Sequence, residues 1–308
     1  MKKAVVTGAN GFVGTAVCME LSEHGVEVIA VVRNEKENIA AIENLPLLRI
    51  VYADLTDFHL LDQMILDRDV DVFYHFAWIG SAGPLRGDAD VQMKNVQFSG
   101  DTVKACAAMG CKRFVFASSI MEYEIIATMA TEATPAINTL YCSAKVAADY
   151  MVRTIAGNIG VEYIRAVISN IYGPNELSPR LVNTSIRKML KGEHCSFSAG
   201  DQIYDFIYIT DAAKAFYAIG EKGKANKTYY IGSQEPKPLK CFLRELRDCV
   251  DPNIEIGLGE LPFNGISLTY TEFDINAVRN DTGFVPAVSF TEGVNNTVAW
   301  IKGGNNEI

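Results

Sequence analysis

Tyr141 and Lys145 are the pair of residues in this sequence whose types and spacing most directly suggest chemistry, within the stretch LYCSAKV at 140–146. Residues four apart on a helix lie on one face, so the phenol and the ammonium would be neighbours. A nearby positive charge favours the phenolate and lowers the pKa of a tyrosine from about 10 toward neutrality. Such a tyrosine can give a proton to a carbonyl oxygen or take one from an alcohol. Taken alone, the pair is equally compatible with a solvated helix surface.

A second pattern, VVTGANGFVGTAV, places three glycines at a spacing of three residues after an apolar run. Glycines at this spacing allow a tight turn, a close approach of the backbone to a pyrophosphate and close packing of a helix on a strand. The helix that follows would direct its free N–H groups at the phosphates. We therefore predict a dinucleotide site. Its predicted residues in this turn are Gly8, Asn10, Gly11, Phe12, Val13 and Gly14.

The end of the second predicted strand bears on the form of the dinucleotide. An acidic residue there often binds the adenosine ribose hydroxyls, but this strand ends in VVRNEKEN, with Arg33 at that place. Because a guanidinium binds a 2′-phosphate well, the sequence favours NADP, with NAD as the alternative. A solvated surface arginine is the other interpretation. After the next strand, Asp54 and Leu55 are predicted to contact the cofactor, although Asp54 could instead cap a helix.

Composition excludes several classes of protein. The 308 residues are 49% hydrophobic and 21% charged, which is typical of a globular protein of one large domain or two joined ones. A net charge of -9 gives no support to nucleic-acid binding. The longest apolar runs are too short to predict a membrane span, and glycines interrupt the N-terminal apolar run where a signal peptide would continue. Seven scattered cysteines and four dispersed histidines indicate reduced thiols, a cytoplasmic location and no metal site.

The hydrophobic pattern predicts the scaffold that must position these residues. Strand-like runs alternate with helix-like segments through the first half, which predicts an α/β fold with a doubly wound parallel sheet. The predicted strands are KKAVVTG, 26–32, LLRIVYAD, 70–77, 112–119 and VEYIRAVIS, and the predicted helices include 58–67, 92–110 and one that carries Tyr141 and Lys145. The second half is less regular and holds seven of the ten prolines.

The motifs together resemble the extended short-chain dehydrogenase/reductases of the NAD-dependent epimerase/dehydratase type. The matching pieces are TGANGFVG, ADLTD, HFA, NVQFSGDTVKAC, FVFASS, YCSAK, NIYGP and DFIYITDAAKA, in the order of that family. The resemblance implies a Rossmann domain at 1–170 and a mainly substrate-binding domain at 171–308, with about 206–232 returning to the Rossmann sheet. It also implies a nucleotide-sugar substrate and a homodimer formed through the helices at 92–110 and 142–157.

The resemblance assigns roles to individual residues. It implies that Tyr141 exchanges the proton, that Ser119 hydrogen-bonds the reacting oxygen, and that Lys145 tunes the tyrosine and holds the nicotinamide ribose. Further cofactor-binding residues would be Phe76, Ala77, Asn95, Tyr141, Lys145 and Ile168. The substrate-binding residues would be Trp78, Ser118, Asn170, Arg180 and Tyr204.

Departures from the family pattern limit the reaction. Sugar-nucleotide dehydratases of this type carry an acid pair directly after the serine or threonine, where this chain has Ile120 and Met121. Glu122 comes one residue too late, so the sequence disfavours water elimination. Relatives also usually place phosphate-binding arginines at the positions of Tyr204 and Val167, and their loss weakens the case for a nucleotide sugar.

Three functions remain open on the sequence. The leading hypothesis is an NADP-dependent ketoreductase that acts on a nucleotide-linked keto-sugar, because Arg33 favours an exchangeable NADPH. The alternative is an NAD-dependent nucleotide-sugar 4-epimerase, which would use the same Ser119, Tyr141 and Lys145. A non-catalytic NADP-binding sensor ranks lowest, since such relatives tend to lose the tyrosine and the lysine.

Overall fold

The protein, as a computed structural model, is described here for residues 1–128 and 139–304. The strands are β1 (Lys3–Thr7), β2 (Glu27–Val32), β3 (Leu48–Tyr52), β4 (Val72–His75), β5 (Arg113–Ser119), β6 (Glu162–Ile168), β7 (Asn170–Tyr172), β8 (Cys195–Phe197), β9 (Ile203–Tyr204), β10 (Phe206–Tyr208), β11 (Thr228–Ile231), β12 (Lys237–Pro238) and β13 (Ile256–Leu258). The helices are α1 (Phe12–Glu23), α2 (Leu61–Met64), α3 (Ala89–Ala108), α4 (Glu122–Thr128), α5 (Thr139–Ile159), α6 (Leu181–Leu190), α7 (Ile209–Lys222), α8 (Leu239–Val250), α9 (Ala277–Thr282) and α10 (Phe290–Lys302). Two 3₁₀ helices span Leu55–Leu60 and Pro84–Gly87.

A seven-stranded parallel sheet in the order β11-β6-β5-β4-β1-β2-β3 forms the centre of the molecule. Its inner strands are apolar runs with almost every residue buried, as strands covered by helices on both faces require. The strand order reverses between β1 and β4, which is the switch point where ligands bind in sheets of this kind. The predicted Rossmann-type fold is confirmed.

The elements agree with the sequence except at one predicted helix. The segment 58–67 is instead a 3₁₀ helix over Leu55–Leu60 followed by the single turn of α2. The start moves toward the N-terminus because the Asp54 carboxylate accepts hydrogen bonds from the Thr56 N–H and hydroxyl, both at 3.0 Å. Asp54 therefore has the capping role that the sequence left as an alternative.

The C-terminal half divides its elements between two places. β11 joins the central sheet beside β6, and α7 packs against α1. The remaining short strands form separate two-stranded pairs, β7 with β10, β8 with β13 and β9 with β12. These lie with α6, α8 and α10 around an aromatic cluster that includes Tyr172, Phe206, Phe242 and Phe290. The division into domains at residue 170 stays a prediction.

Several small and apolar residues of the two helices predicted to form a dimer interface are buried within the chain itself. α3 and α5 pack on each other within the chain, so Cys106, Ala148 and Val152 are fully buried in its own core. The large apolar side chains that α5 exposes include Tyr150 and Met151. The homodimer stays a prediction. None of the helices in the described residues is both long enough and apolar enough to cross a membrane.

Candidate active site

The carboxyl ends of the central strands open onto a cavity of about 480 Å³. The predicted site residues that line it are Gly8, Asn10, Gly11, Phe12, Val13, Gly14, Phe76, Ala77, Trp78, Ser118, Ser119, Tyr141, Lys145, Ile168 and Arg180. Residues that the sequence did not single out line it too, namely Ser81, Ala117, Ser169, Ile171, Asn175, Glu176, Leu177 and Ser178. Four of these belong to the segment after β7, where the prolines and polar residues predict only a loop.

The glycine turn has the geometry that a phosphate cradle needs. Gly8 has φ +65°, and a Cβ there would lie 2.9 Å from the Ala77 nitrogen. A Cβ on Gly14 would lie 2.1 Å from the Gly8 oxygen, so the turn closes only with glycine at both places. Gly11 begins α1 without a side-chain cap, and the first N–H groups of the helix face the cavity. The residues present therefore fit a bound dinucleotide.

The adenosine end of the site contradicts the reasoning that led to NADP. Both Nε and Nη2 of Arg33 donate to Glu37 Oε1, with the Nε bond at 2.7 Å. Glu37 also accepts from Asn10 Nδ2, which belongs to the glycine turn. The guanidinium is thus already paired, and the carboxylate beside it would repel a 2′-phosphate. A preference for NADP is not supported, and Glu37 is a residue that the sequence reasoning missed.

Two other predicted cofactor residues support the site from outside the cavity. The Asn95 side chain accepts from the Ile79 N–H at 3.0 Å and donates to the Ile79 oxygen at 2.8 Å. It therefore holds the segment after β4 against α3. Leu55 is buried in the core below the helix that Asp54 caps. In this structure, both act on the position of the loops around the cavity.

Tyr141 is buried against Ser119 at the end of β5. Burial raises the pKa of the phenol more than a hydrogen bond with the Ser119 hydroxyl lowers it, so the net shift of the pKa is upward. The predicted lowering of the Tyr141 pKa is therefore wrong for this structure. Its cause is desolvation, which disfavours the phenolate and which the one-turn spacing to Lys145 does not reveal.

The Lys145 ammonium reaches past the tyrosine to other partners. It donates to the Ala117 oxygen at 3.0 Å and lies 3.7 Å from the centre of the Trp78 ring. Burial lowers the pKa of Lys145 to about 7. Trp78 also packs edge-on against Tyr141, with 6.1 Å between ring centres, and donates from Nε1 to Gln92. The indole therefore contacts both predicted catalytic side chains.

A charged network lies behind the end of β5 and was not predicted. Glu122 is fully buried and accepts hydrogen bonds from the Ser118 hydroxyl at 2.5 Å and the Ser119 N–H at 2.9 Å. Arg165 pairs with Glu122 and with Asp149. The sequence placed Glu122 one residue too late for a catalytic acid, and the structure shows that its carboxylate is occupied by these partners.

A second cavity of about 310 Å³ adjoins the first and shares Ser81, Ile171 and Arg180 with it. It contains the remaining predicted substrate residues, Asn170 and Tyr204. Arg86, from the 3₁₀ helix Pro84–Gly87, lines it as well, with Cζ 4.3 Å from the centre of the Tyr141 ring. No cluster of His, Cys, Asp or Glu suited to a metal ion occurs in the described part of the chain.

The comparisons with known proteins agree with this geometry. The chain is 22% identical, over 97% of its length, to a trifunctional UDP-glucose 4,6-dehydratase/UDP-4-keto-6-deoxy-D-glucose 3,5-epimerase/UDP-4-keto-L-rhamnose-reductase of Arabidopsis thaliana, of which it spans 47%. It is 25% identical to the dTDP-glucose 4,6-dehydratase of Neisseria gonorrhoeae, over 97% of this chain and 95% of that protein.

Among solved structures, the UDP-glucuronic acid 4-epimerase of Bacillus cereus in complex with NAD superposes with a TM-score of 0.78 at 20% identity. The match covers 98% of this chain and 99% of that one. Residues 4–232 match the NAD dependent epimerase/dehydratase family, which is most of the chain. The resemblance seen in the sequence is confirmed, and the chain belongs to the NAD dependent epimerase/dehydratase family.

Proposed function

We propose that this protein is an NAD-dependent 4-epimerase of a nucleoside-diphosphate sugar. The observation that carries the choice of cofactor is the pairing of Arg33 with Glu37, which puts a carboxylate at the adenosine end. A carboxylate there suits the ribose hydroxyls of NAD. The fold shared with a 4-epimerase that binds NAD supports the same reaction.

In this proposal, separate groups of residues bind the cofactor and transfer the proton. The glycine turn and the start of α1 bind the pyrophosphate, and bound NAD supplies hydride acceptance and donation. Tyr141 takes the proton of the sugar hydroxyl and later returns it, while Ser119 hydrogen-bonds the same oxygen. Trp78 packs edge-on against the ring of Tyr141 and Lys145 lies over the indole, so Trp78 helps to position the tyrosine and Lys145 helps to position Trp78.

Water elimination is not part of the proposal, although two relatives are named dehydratases. That reaction needs a general acid and base at the neighbouring carbon. Ile120 packs in a hydrophobic cluster with Val167 and Tyr230, and Met121 packs against the same cluster. The Glu122 carboxylate is held by Ser118, the Ser119 N–H and Arg165. Neither these side chains nor Glu122 can supply the acid.

Keto-sugar reduction, the leading hypothesis from the sequence, uses the same three residues. What separates it from epimerisation is whether the cofactor leaves after each turnover. Its support was a free Arg33 that would select NADPH, and the structure pairs that guanidinium with Glu37. Epimerisation is therefore the proposal, and reduction is the competing outcome of the test.

The test begins with the cofactor that copurifies with the protein. The dinucleotide is released by denaturation and identified by chromatography, and UDP- and dTDP-sugars are then incubated with the enzyme without added cofactor. We expect retained NAD and formation of a 4-epimer. Retained or required NADP, with consumption of NADPH on a keto-sugar, would replace epimerisation by reduction.

Glu37→Gln sharpens the cofactor assignment. Removal of the carboxylate leaves Arg33 available to a 2′-phosphate, and a charge-assisted hydrogen bond of about 1.5–3 kcal/mol corresponds to roughly tenfold or more in affinity. We expect NADP to gain by that factor relative to NAD, measured by titration of both cofactors. Equal affinities for NADP in the two proteins would show that Glu37 does not set the preference.

A further inference from the structure

We propose that Arg86 forms an anion subsite that binds a phosphate or carboxylate of the substrate close to Tyr141. The inference deepens the proposed function and rests on it in one respect, that the substrate is a nucleotide sugar. Arg86 lies in the segment between β4 and α3, and neither the sequence nor the family pattern singled out this residue.

The position of Arg86 is built into the loop that carries it. Gln92, which is buried on α3, donates from its side-chain nitrogen to the Leu85 oxygen at 2.9 Å and to the Gly80 oxygen at 3.2 Å. Gly80 has φ +73°, and a Cβ there would lie 2.7 Å from the Leu85 oxygen. The 3₁₀ helix that carries Arg86 is therefore held in one place, and it sets the guanidinium against the ring of Tyr141.

Arg86 makes no ion pair within the described part of the chain, although Glu124 lies close enough for the two charges to interact. Its Nε is buried without a hydrogen-bond partner there, and the ion pairs found among those residues do not include it. Burial and neighbouring charges keep the adjacent Cys142 as a neutral thiol by raising its pKa to about 11. A guanidinium in this state is costly unless an anion joins it, because desolvation removes the water that would screen it.

The charge of Arg86 acts on the pKa values of three neighbouring groups. Burial raises the pKa of Tyr204 and of Glu124, and the Arg86 charge opposes both increases. It opposes the increase at Tyr141 as well, together with Arg180. Arg180 lines both cavities, and its Nε lies 3.1 Å from the Glu176 carboxylate. Of the two arginines that line the second cavity, Arg180 is therefore already paired, and Arg86 remains for an anion of the substrate.

The chemistry of the Arg86 guanidinium limits the kind of group that can bind there. A planar guanidinium binds a phosphate or a carboxylate through two parallel hydrogen bonds. Because Arg86 touches the ring of Tyr141, the bound group must lie on the sugar ring that carries the reacting carbon or be attached directly to it. Two sources meet this condition, the phosphate attached to the sugar and a carboxylate carried by the sugar itself. The nucleoside lies beyond the reach of this contact.

The experiment measures binding to the enzyme in its NAD-loaded form. Calorimetry with UDP, UDP-glucose and UDP-glucuronate is compared for the wild type, Arg86→Gln and Arg86→Lys. The matched control is Arg153→Gln, which removes a guanidinium 4.7 Å from the ring of Tyr150 on the outside of α5. Retained NAD and the melting temperature check that each variant is folded.

We expect Arg86→Gln to weaken binding about tenfold or more, the value of a lost charged hydrogen bond, and Arg86→Lys to restore part of it. Arg153→Gln should stay within about twofold of the wild type, as expected for a surface site. A loss shared by UDP and UDP-glucose assigns the sugar-linked phosphate, while a loss confined to UDP-glucuronate assigns a sugar carboxylate.

Unchanged affinity for all three ligands in folded Arg86→Gln would overturn the subsite, and so would a wild type that binds none of them. The proposed function fails separately. If the wild type binds these ligands through Arg86 but forms no epimer from any sugar tested, the reaction is wrong and the subsite stands.

Discussion

Two arginines flank the end of β5 and are in opposite electrostatic states. Arg165, on β6 and called the rear arginine here, pairs with Glu122 and Asp149, whose side chains are 0% and 2% exposed. Arg86, which lines the second cavity and is called the front arginine, is stacked on Tyr141. Among the described residues, the rear arginine has carboxylate partners and the front arginine has no ion pair.

The difference separates structure from ligand binding at one strand end. In the rear network, Arg165 donates to the Ser118 hydroxyl at 3.1 Å, and Tyr163 donates to Asp149 at 2.6 Å. Those groups are satisfied without a substrate, so the network fixes the turn that carries Ser119. On the front side, Arg86 makes no ion pair among the described residues, and in our proposal an anion of the substrate binds it. We therefore expect front-side changes to alter rate and rear-side changes to alter stability.

Tyr141→Phe is expected to produce the largest effect, and to produce it on rate alone. The ring is kept and only the hydroxyl is lost, so packing against Trp78 and Arg86 survives. Loss of the proton-transfer group should lower turnover by about 10²–10⁴-fold on the substrate that the wild type converts. Tyr150→Phe, at an exposed position on the same helix, is the control and should be neutral. Turnover of Tyr141→Phe within about twofold of wild type would remove the tyrosine from the mechanism.

Glu122→Gln tests the rear side of the comparison. It leaves Arg165 in a buried site with one of its two carboxylates, and breaking a buried pair costs about 3–5 kcal/mol. We expect a loss near the lower end of that range in denaturant unfolding, because Asp149 still pairs with Arg165. The control is Glu162→Gln, which breaks the half-exposed pair with Arg113 and should cost under about 1 kcal/mol. Similar losses in the two variants would show that the rear network has no special role in stability.

The residues that the sequence predicted well are those defined by local pattern. The glycine turn depends on neighbours within one turn of chain, and the strand predicted at 112–119 is observed at Arg113–Ser119. Ser119, Tyr141 and Lys145 came from the family resemblance, and they line one cavity. The central fold followed from alternation of strands and helices, which requires no knowledge of side-chain contacts.

The features that the sequence did not predict depend on distant contacts and on burial. Arg86 meets Tyr141 across 55 positions of chain, and no periodicity marks its loop. The direction of the Glu122 side chain depends on the turn after β5, which places Ile120 in the core. Arg33 and Glu37 are four residues apart in the sequence, but the sequence alone does not show whether Arg33 pairs with Glu37 or with a phosphate. The direction of the Tyr141 pKa required its desolvation, which only the packed structure provides.

Lys145 lies between the two arginines in character, because it is buried, has a backbone partner and is only partly charged near neutral pH. Burial lowers its pKa to about 7 in the folded protein, while the unfolded chain keeps the ordinary value near 10.5. Between these values the unfolded state binds more protons, so stability rises with pH through this window. Below pH 7 the folded protein holds Lys145 as a buried ammonium, so the stability gained at higher pH is absent.

Lys145→Met removes this titration and so isolates its effect on stability. We expect this effect to be smaller than those of Tyr141→Phe and Glu122→Gln. We expect the wild type to gain up to about 2.5 kcal/mol relative to Lys145→Met between pH 7 and pH 9, from two pH units at about 1.36 kcal/mol each. The measurement is the free energy of unfolding of both proteins at pH 6, 7, 8 and 9, without added cofactor. Lys104→Met, at an exposed position on α3, controls for the loss of a lysine charge. A difference between wild type and Lys145→Met that stays constant from pH 6 to pH 9 would show that the ammonium keeps its proton in the folded state. Lys145 would then belong with Arg86, as a second lasting positive charge on the front side of β5.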